Sequence, residues 1–351
     1  MSRKIARLKL SRVQILDFRR QAGSLNERLP ASAKSLRLAA WAGLQDSVPR
    51  AALLSLHARV KGCDSNSWEH PSLVQLWGPR FNDYVVAAKD LPVFSLGRLP
   101  DDARGRARAL DTASRLRSFL DGRRMPASQA ERALGLLPNR LRYAAPTGTV
   151  LLRWEGAREP VIWCGPPHDM EPQDARLELA RRYLHIFGPS TVASFARWAG
   201  IGTTEARAAF DGLAGTLAPA HTPVGDAWIL ADDEAAFRQP SSSKPAAPAR
   251  LLPSGDAYYL QWGADREILV PDAKRRAELW TTRVWPGALL VNGEIVGVWR
   301  RSAKQVSVDA WGRLSTPRES GCSRRSAPSS WCCWARRSAG CWCSRGARWA
   351  A

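Results

Sequence analysis

The 351 residues carry 52 Lys+Arg against 32 Asp+Glu, a formal net charge of +20, with 45% hydrophobic residues. That apolar share supports a real core and excludes a chain disordered along its whole length, while the length allows two or three domains. No run of 18 apolar residues exists to span a bilayer, and the amino terminus interleaves cations with aliphatics where a secretory signal needs an apolar core. The expectation is a cytoplasmic monomer with no membrane attachment, whose cation excess favours a polyanion, above all nucleic acid.

In chain order, Ser11 is placed to cap a helix through Gln21, followed by helices over Ser32–Ala42 and Pro49–Val60. A strand pair, Leu73–Trp77 and Asp83–Ala88, turns over Gly78-Pro79-Arg80. Three helices followed by a hairpin is the plan of a winged helix. The pattern returns with helices over Asp101–Leu120, Ser128–Leu134 and Asn139–Tyr143 and strands Thr149–Trp154 and Glu159–Trp163. A third copy has a helix over 174–187 that stops at Gly188-Pro189, a second capped by Ser190 or Thr191, and a third capped by Thr203. Strands Thr216–His221 and Ala227–Leu230 close it.

Residues 239–250 form a Pro/Ser-rich linker. Beyond it Tyr258–Trp262, Ile268–Val270, Ala288–Val291, Ile295–Arg300 and Val306–Val308 read as short strands, with Asn292-Gly293 a hairpin signal. The expected fold is α+β: winged-helix units over 1–95, 96–168 and 169–238, then a small barrel-like β-domain over 251–318.

The segment 319–351 is anomalous. Residues 321–351 hold six Arg and no acid, so the remaining chain carries 20 − 6 = +14, and they use only Gly, Cys, Ser, Arg, Ala, Pro and Trp. That mixture is what a G+C-rich gene yields out of frame, and it has no apolar period, so no packed core is expected there. Cys332-Cys333 and Cys341-x-Cys343 lack the C-x₂-C spacing of a zinc site and have no His nearby. No His pair with an intervening Glu exists either, so neither metal nor cofactor is expected. Cys63 and Cys164 then stand as isolated thiols.

Several stretches resemble the bacterial winged-helix DNA glycosylases of the AlkZ/YcaQ type. They are Ala42-Gly43-Leu44-Gln45-Asp46-Ser47-Val48-Pro49-Arg50 with Leu56-x-Ala58-Arg59-Val60, Leu251-Leu252-Pro253-Ser254-Gly255-Asp256-Ala257-Tyr258, Asp265-Arg266-Glu267, and Val291-Asn292-Gly293-Glu294-Ile295-Val296-Gly297-Val298-Trp299. The resemblance spans roughly residues 10–316. It implies three tandem winged helices with a β-barrel, and an activity that unhooks N7-alkylated purines and interstrand crosslinks from double-stranded DNA. The family's Gln-x-Gln or Gln-x-Asp triplet falls on Gln45, Asp46 and Ser47, so Gln45 and Ser47 are the implied catalytic pair. Ser47 stands where the family has a second amide or carboxylate, and Tyr84 where its wing carries His.

The residue types suit the chemistry. An N7-alkylated purine is a cationic leaving group that departs neutral, so the protein has chiefly to hold a water near the anomeric carbon, which an amide oxygen can do. On an extended path Gln45 and Ser47 share a face and Asp46 points away. Arg12, in a basic amino-terminal stretch, together with Arg50, Arg80 and the wing residue Tyr84, are the candidate DNA contacts. The competing possibilities are a non-catalytic winged-helix DNA binder or regulator, in which Ser47 marks lost chemistry, and a truncated product.

Overall fold

The computed structural model describes residues 7–156, 158–239, 248–302, 305–312 and 348–350; the central part of the linker and most of the Cys/Trp-rich tail lie outside the described residues. The chain opens with strand β1 (Leu8–Lys9) and helix α1 (Arg12–Ala22). The Ser11 side chain accepts the Gln14 N–H, and the Gln14 side chain accepts the Ser11 N–H, a capping box that satisfies donors left open at a helix start.

The first unit holds α2 (Ala33–Ala39), β2 (Leu44–Gln45), α3 (Ala51–Arg59), β3 (Leu73–Trp77), β4 (Asp83–Ala87) and α4 (Leu91–Leu96). Its strands form an antiparallel sheet in the order β2-β4-β3. The second unit holds α5 (Ala103–Leu120), β5 (Met125–Pro126), α6 (Ala127–Ala133), β6 (Val150–Arg153) and β7 (Val161–Cys164), in the order β5-β7-β6. Where a third helix was expected, the chain makes a 3-10 stretch, Leu141–Thr147, containing Pro146, which has no N–H to donate to an α-helical ladder. The third unit has α7 (Pro172–Phe187), α8 (Val192–Ala199), α9 (Thr203–Gly212), the hairpin β8 (Leu217–Thr222) with β9 (Gly225–Leu230), and α10 (Glu234–Arg238).

The carboxy-terminal part contains β10 (Arg250–Leu252), α11 (Asp265–Leu269), α12 (Ala273–Leu279), β11 (Gly287–Val291), β12 (Glu294–Arg301), β13 (Gln305–Ala310) and β14 (Arg348–Ala350). They form one five-stranded sheet in sequence order, with β10 and β14 at its two edges, so among the described residues it is open and no barrel closes. The last of these strands, residues 348–350, comes from the tail. The β11–β12 turn sits on Asn292 (φ 52°) and Gly293 (φ 86°), the two left-handed residues a tight hairpin needs.

Two expected strands are not strands. Residues 258–262 begin as a 3-10 turn, because the Asp256 carboxylate caps the Tyr258 N–H, and the two tyrosines turn inward. Tyr258 Oη donates to the Gly293 carbonyl at 2.6 Å and Tyr259 Oη to the Pro253 carbonyl at 2.7 Å. Residues 268–270 belong to a short helix and its end, all buried, a case in which an apolar run alone cannot tell strand from helix.

Packing regroups the units. Tyr84 and Phe94 of the first unit share a core with Tyr183, Phe187, Phe195 and Trp198 of the third. The second unit has a separate core around Leu116, Leu141 and Ile162, which Trp77 of the first unit enters. The grouping of α1 with the first unit is corrected: β1 pairs in parallel with β8, and Phe18 stacks on Phe237 at 3.8 Å. Ile15 and Leu16 lie in the core of the carboxy-terminal sheet. Arg19, fully buried, donates to the carbonyls of Phe187 (2.7 Å) and Gly188 (3.0 Å), a cation at the negative end of α7.

Candidate active site

Residues 44–45 form a strand and the chain bends at Ser47; Leu44 and Asp46 are buried, Gln45 and Ser47 half-buried. Sheet register fixes which side chains meet. Gln45 lies opposite Tyr84, and Tyr84 opposite Leu76; Leu44 lies opposite Val85, and Val85 opposite Gln75. Directly opposed residues share a face, so Gln45 and Tyr84 look one way while Asp46 looks the other, toward Gln75.

The Gln45 amide is hydrogen-bonded through its oxygen and closely packed at its nitrogen. Its Oε1 accepts from Arg80 Nη2 at 2.8 Å and faces the Tyr84 hydroxyl at 3.4 Å. On the other side Gly255, at φ +75°, lies so close that an added Cβ would stand 3.0 Å from Gln45 Nε2. That close approach is fixed by a buried ion pair. Arg59 on α3 donates to the two carboxylate oxygens of Asp256 at 2.7 and 2.8 Å, and Ser55 donates to Asp256 at 2.7 Å. Burial pushes the Asp256 carboxyl up, but the Arg59 charge and these hydrogen bonds outweigh it and hold the group below the ordinary carboxylate range.

Asp46 is 1% exposed. One oxygen accepts the Ala52 N–H at 2.9 Å, tying the triplet to the start of α3, and the other accepts from Gln75 Nε2 at 2.9 Å. Burial is the largest influence on it and raises it to about 7; the neighbouring Asp83 adds to the rise while Arg50 opposes it. Asp83 is itself raised by burial to about 6. The Ser47 hydroxyl is buried and has no hydrogen-bond partner among the described residues.

Of the proposed DNA contacts, Arg50 and Arg80 flank this loop. Both have left-handed backbones (φ 65° and 55°), and their guanidinium groups lie over tryptophans: Arg50 over Trp68 at 4.2 Å, Arg80 over Trp262 at 4.4 Å. Two others are corrected. Tyr84 is 1% exposed, with its ring in the core shared with the third unit, so it presents no surface to DNA. Arg12 is bound bidentately by Glu294 (2.5 and 2.6 Å) and donates to the Ile268 and Leu269 carbonyls, so its guanidinium is already engaged by the protein in a partly exposed pair.

Sequence reasoning missed Gln75, Trp262 and the Arg59–Asp256 pair. Gln75 had a signal: it is the lone polar residue in the apolar run Leu73-Val74-Gln75-Leu76-Trp77, which marks a buried amide with a fixed partner. The Arg59–Asp256 pair spans 197 residues and leaves no local trace. Among the described residues no group of three His, Cys, Asp or Glu could hold a metal ion, and no helix is long and apolar enough to cross a membrane.

Comparison with known proteins adds the decisive observation. The family described as DNA glycosylase AlkZ-like matches residues 38–327, most of the chain. The chain belongs to the AlkZ-like DNA glycosylase family. It is similar to an interstrand DNA cross-link repair glycosylase of Streptomyces sahachiroi, 28% identical over 136 residues, which is 37% of this chain and 35% of that protein. The matched stretch thus spans about a third of the curated relative's length. The solved structure of Streptomyces sahachiroi DNA glycosylase AlkZ superposes with a TM-score of 0.69 at 18% identity, covering 88% of this chain and 93% of that one. Family membership extends over the whole Gln45 site, and the structural likeness carries the fold.

Proposed function

We propose that the protein is a monofunctional DNA glycosylase that hydrolyses the N-glycosidic bond of N7-alkylated purines, including those tied into interstrand crosslinks in double-stranded DNA. The observation that carries this is the family match across residues 38–327, which takes in Gln45, Ser47, Arg80 and the Gly255 contact. The crosslink-repair name of the Streptomyces sahachiroi relative supports crosslinked DNA as a substrate.

The geometry suits the chemistry. Oε1 of Gln45 has two acceptor positions; Arg80 fills one at 2.8 Å, while the 3.4 Å contact with Tyr84 is too long for a firm O–H···O bond. A water can therefore take the second position and be aimed at the anomeric carbon. With a cationic base as the leaving group, orientation of this water is the main task and strong acid catalysis is not needed.

The three α/β units then act as tandem winged helices along one duplex, the protein working as a cytoplasmic monomer. Arg50 and Arg80 lie beside the reacting nucleotide, where phosphates pass. Duplex DNA carrying N7-methylguanine, assayed for alkali-labile breaks, tests this: the parent protein should generate abasic sites, and Ser47→Gln should raise the rate. A second possibility, a non-catalytic DNA binder, is favoured by one observation, the Ser at position 47. It is adopted if neither the parent nor Ser47→Gln releases base.

A further inference from the structure

The side of the triplet that faces away from Gln45 carries a second construction. Gln75, 6% exposed, uses both ends of its amide. Its Nε2 donates to Asp46 at 2.9 Å, and its Oε1 accepts the Trp154 N–H at 2.7 Å. Trp154 begins the turn between β6 and β7, in the second unit. The same turn meets the triplet loop again at Gly156, where an added Cβ would stand 2.6 Å from Pro49 Cβ. The hairpin of the second unit thus touches the loop twice, once by a hydrogen-bond chain and once by contact.

The chain of donors has a fixed sense. Trp154 N–H donates to Gln75, Gln75 donates to Asp46, and Asp46 receives the Ala52 N–H on its other oxygen. Asp46 and Gln75 are buried with their partners supplied, Trp154 is half-buried, and Asp46 lies between Gln45 and Ser47 in the sequence. Asp46 is bonded directly to both neighbours, so where its carboxylate is fixed bears on the placement of each.

We propose that Asp46 and Gln75 are positioning residues that hold Gln45 and Ser47 in register with the hairpin of the second unit. This rests on the glycosylase activity proposed above. Placement of that hairpin on DNA and placement of the attacking water are thereby linked through one amide and one carboxylate. The charged groups facing Asp46 are Asp83 on β4 and Arg50 before α3, which act in opposite directions; the β3 and second-unit partners are neutral. An ionised Asp46 accepts both donors, whereas a protonated one gives up an acceptor position, so the excision rate should fall as pH drops through about 7.

The test is single-turnover excision of N7-methylguanine by the full chain, with DNA Kd and Tm measured alongside. Gln75→Glu sets two carboxylates face to face, and Asp46→Asn sets two N–H donors face to face. Each should slow excision about tenfold to a hundredfold, as for other small misplacements of reacting groups, with Kd little changed. The double variant Asp46→Asn/Gln75→Glu rebuilds the hydrogen bond between positions 46 and 75 with donor and acceptor exchanged, and leaves an acceptor for the Ala52 N–H and for the Trp154 N–H, so it should recover most of the rate.

An active parent whose single variants excise at the parental rate overturns the relay and leaves the glycosylase function standing. Slow single variants with no recovery in the double variant also overturn it, and where a single variant fails to fold the double variant decides. A parent that releases no base overturns the glycosylase function and the relay with it.

Discussion

Gly255 shows how much one residue can decide. Its backbone sits at φ +75° against the Gln45 amide. Gly255→Ala brings two penalties, a left-handed conformation that L-residues resist and a Cβ at 3.0 Å from Gln45 Nε2. Because the obstruction falls on the amide thought to aim water, the variant should lose excision rate while DNA affinity holds; an equal loss of both would place Gly255 in DNA binding instead. Arg59→Ala is a different kind of change. It strands the Asp256 carboxylate, and breaking a buried pair of this kind costs about 3–5 kcal/mol, so Tm should drop clearly. A Tm within a degree or two of the parent's would mean that the pair is not closed in solution.

The two raised carboxyls add a pH dependence to stability. Asp46 and Asp83 have folded-state values raised by burial to about 7 and about 6, above their unfolded values, so folded protein holds protons that unfolded chain gives up. Their favourable contribution is complete below about pH 4, the carboxylate range of the unfolded chain, and is lost as pH rises through about 6 to 7. Denaturant unfolding at pH 5 and pH 8 should show lower stability at pH 8, and Asp46→Asn should flatten the difference; a parent more stable at pH 8 would contradict the buried, raised state of both groups.

At the scale of elements, α1 carries the clearest lesson about charge. Its basic residues look like phosphate contacts in the sequence, yet Arg12 binds Glu294 and Arg19 caps the end of α7. Arg12→Gln should therefore lower Tm with no change in the salt slope of DNA binding, whereas Arg50→Gln should lessen that slope by about one phosphate contact's worth. A lessened slope for Arg12→Gln would return that residue to the interface. The helices were legible because their signals are local: Ser11 with Gln14 makes a capping box, and Gly188-Pro189 ends α7. The Tyr258–Trp262 segment was not, because a capping carboxylate and two inward hydroxyls outweigh the β preference of its aromatic residues.

The same distinction holds for the site. Gln45 and Ser47 could be named from the Gln-x-Ser triplet, and the opposite facing of Gln45 and Asp46 goes with the strand at Leu44–Gln45. Arg80 on Gln45, Gly255 against it and Gln75 behind it were not visible, since each contact joins segments between 29 and 210 residues apart and depends on sheet register or on docking of the carboxy-terminal sheet. Tyr84 was misread for the reverse reason. A wing position suggested exposure, but this sheet turns that face into a core shared with the third unit.

In the whole molecule, family membership and a net charge of +20 both accord with base excision from DNA. The first and third units share one core, which packs on the face of the sheet that also carries Gln45, while the second unit reaches the loop through Trp154 and Gly156. The most direct test of this account is the single-turnover rate of N7-methylguanine release by Gln45→Ala beside the parent, with DNA affinity measured for both. The account predicts a loss of about tenfold to a thousandfold in rate, the range for removed transition-state donors and positioning groups, with Kd essentially unchanged. Release by Gln45→Ala at the parental rate would contradict it.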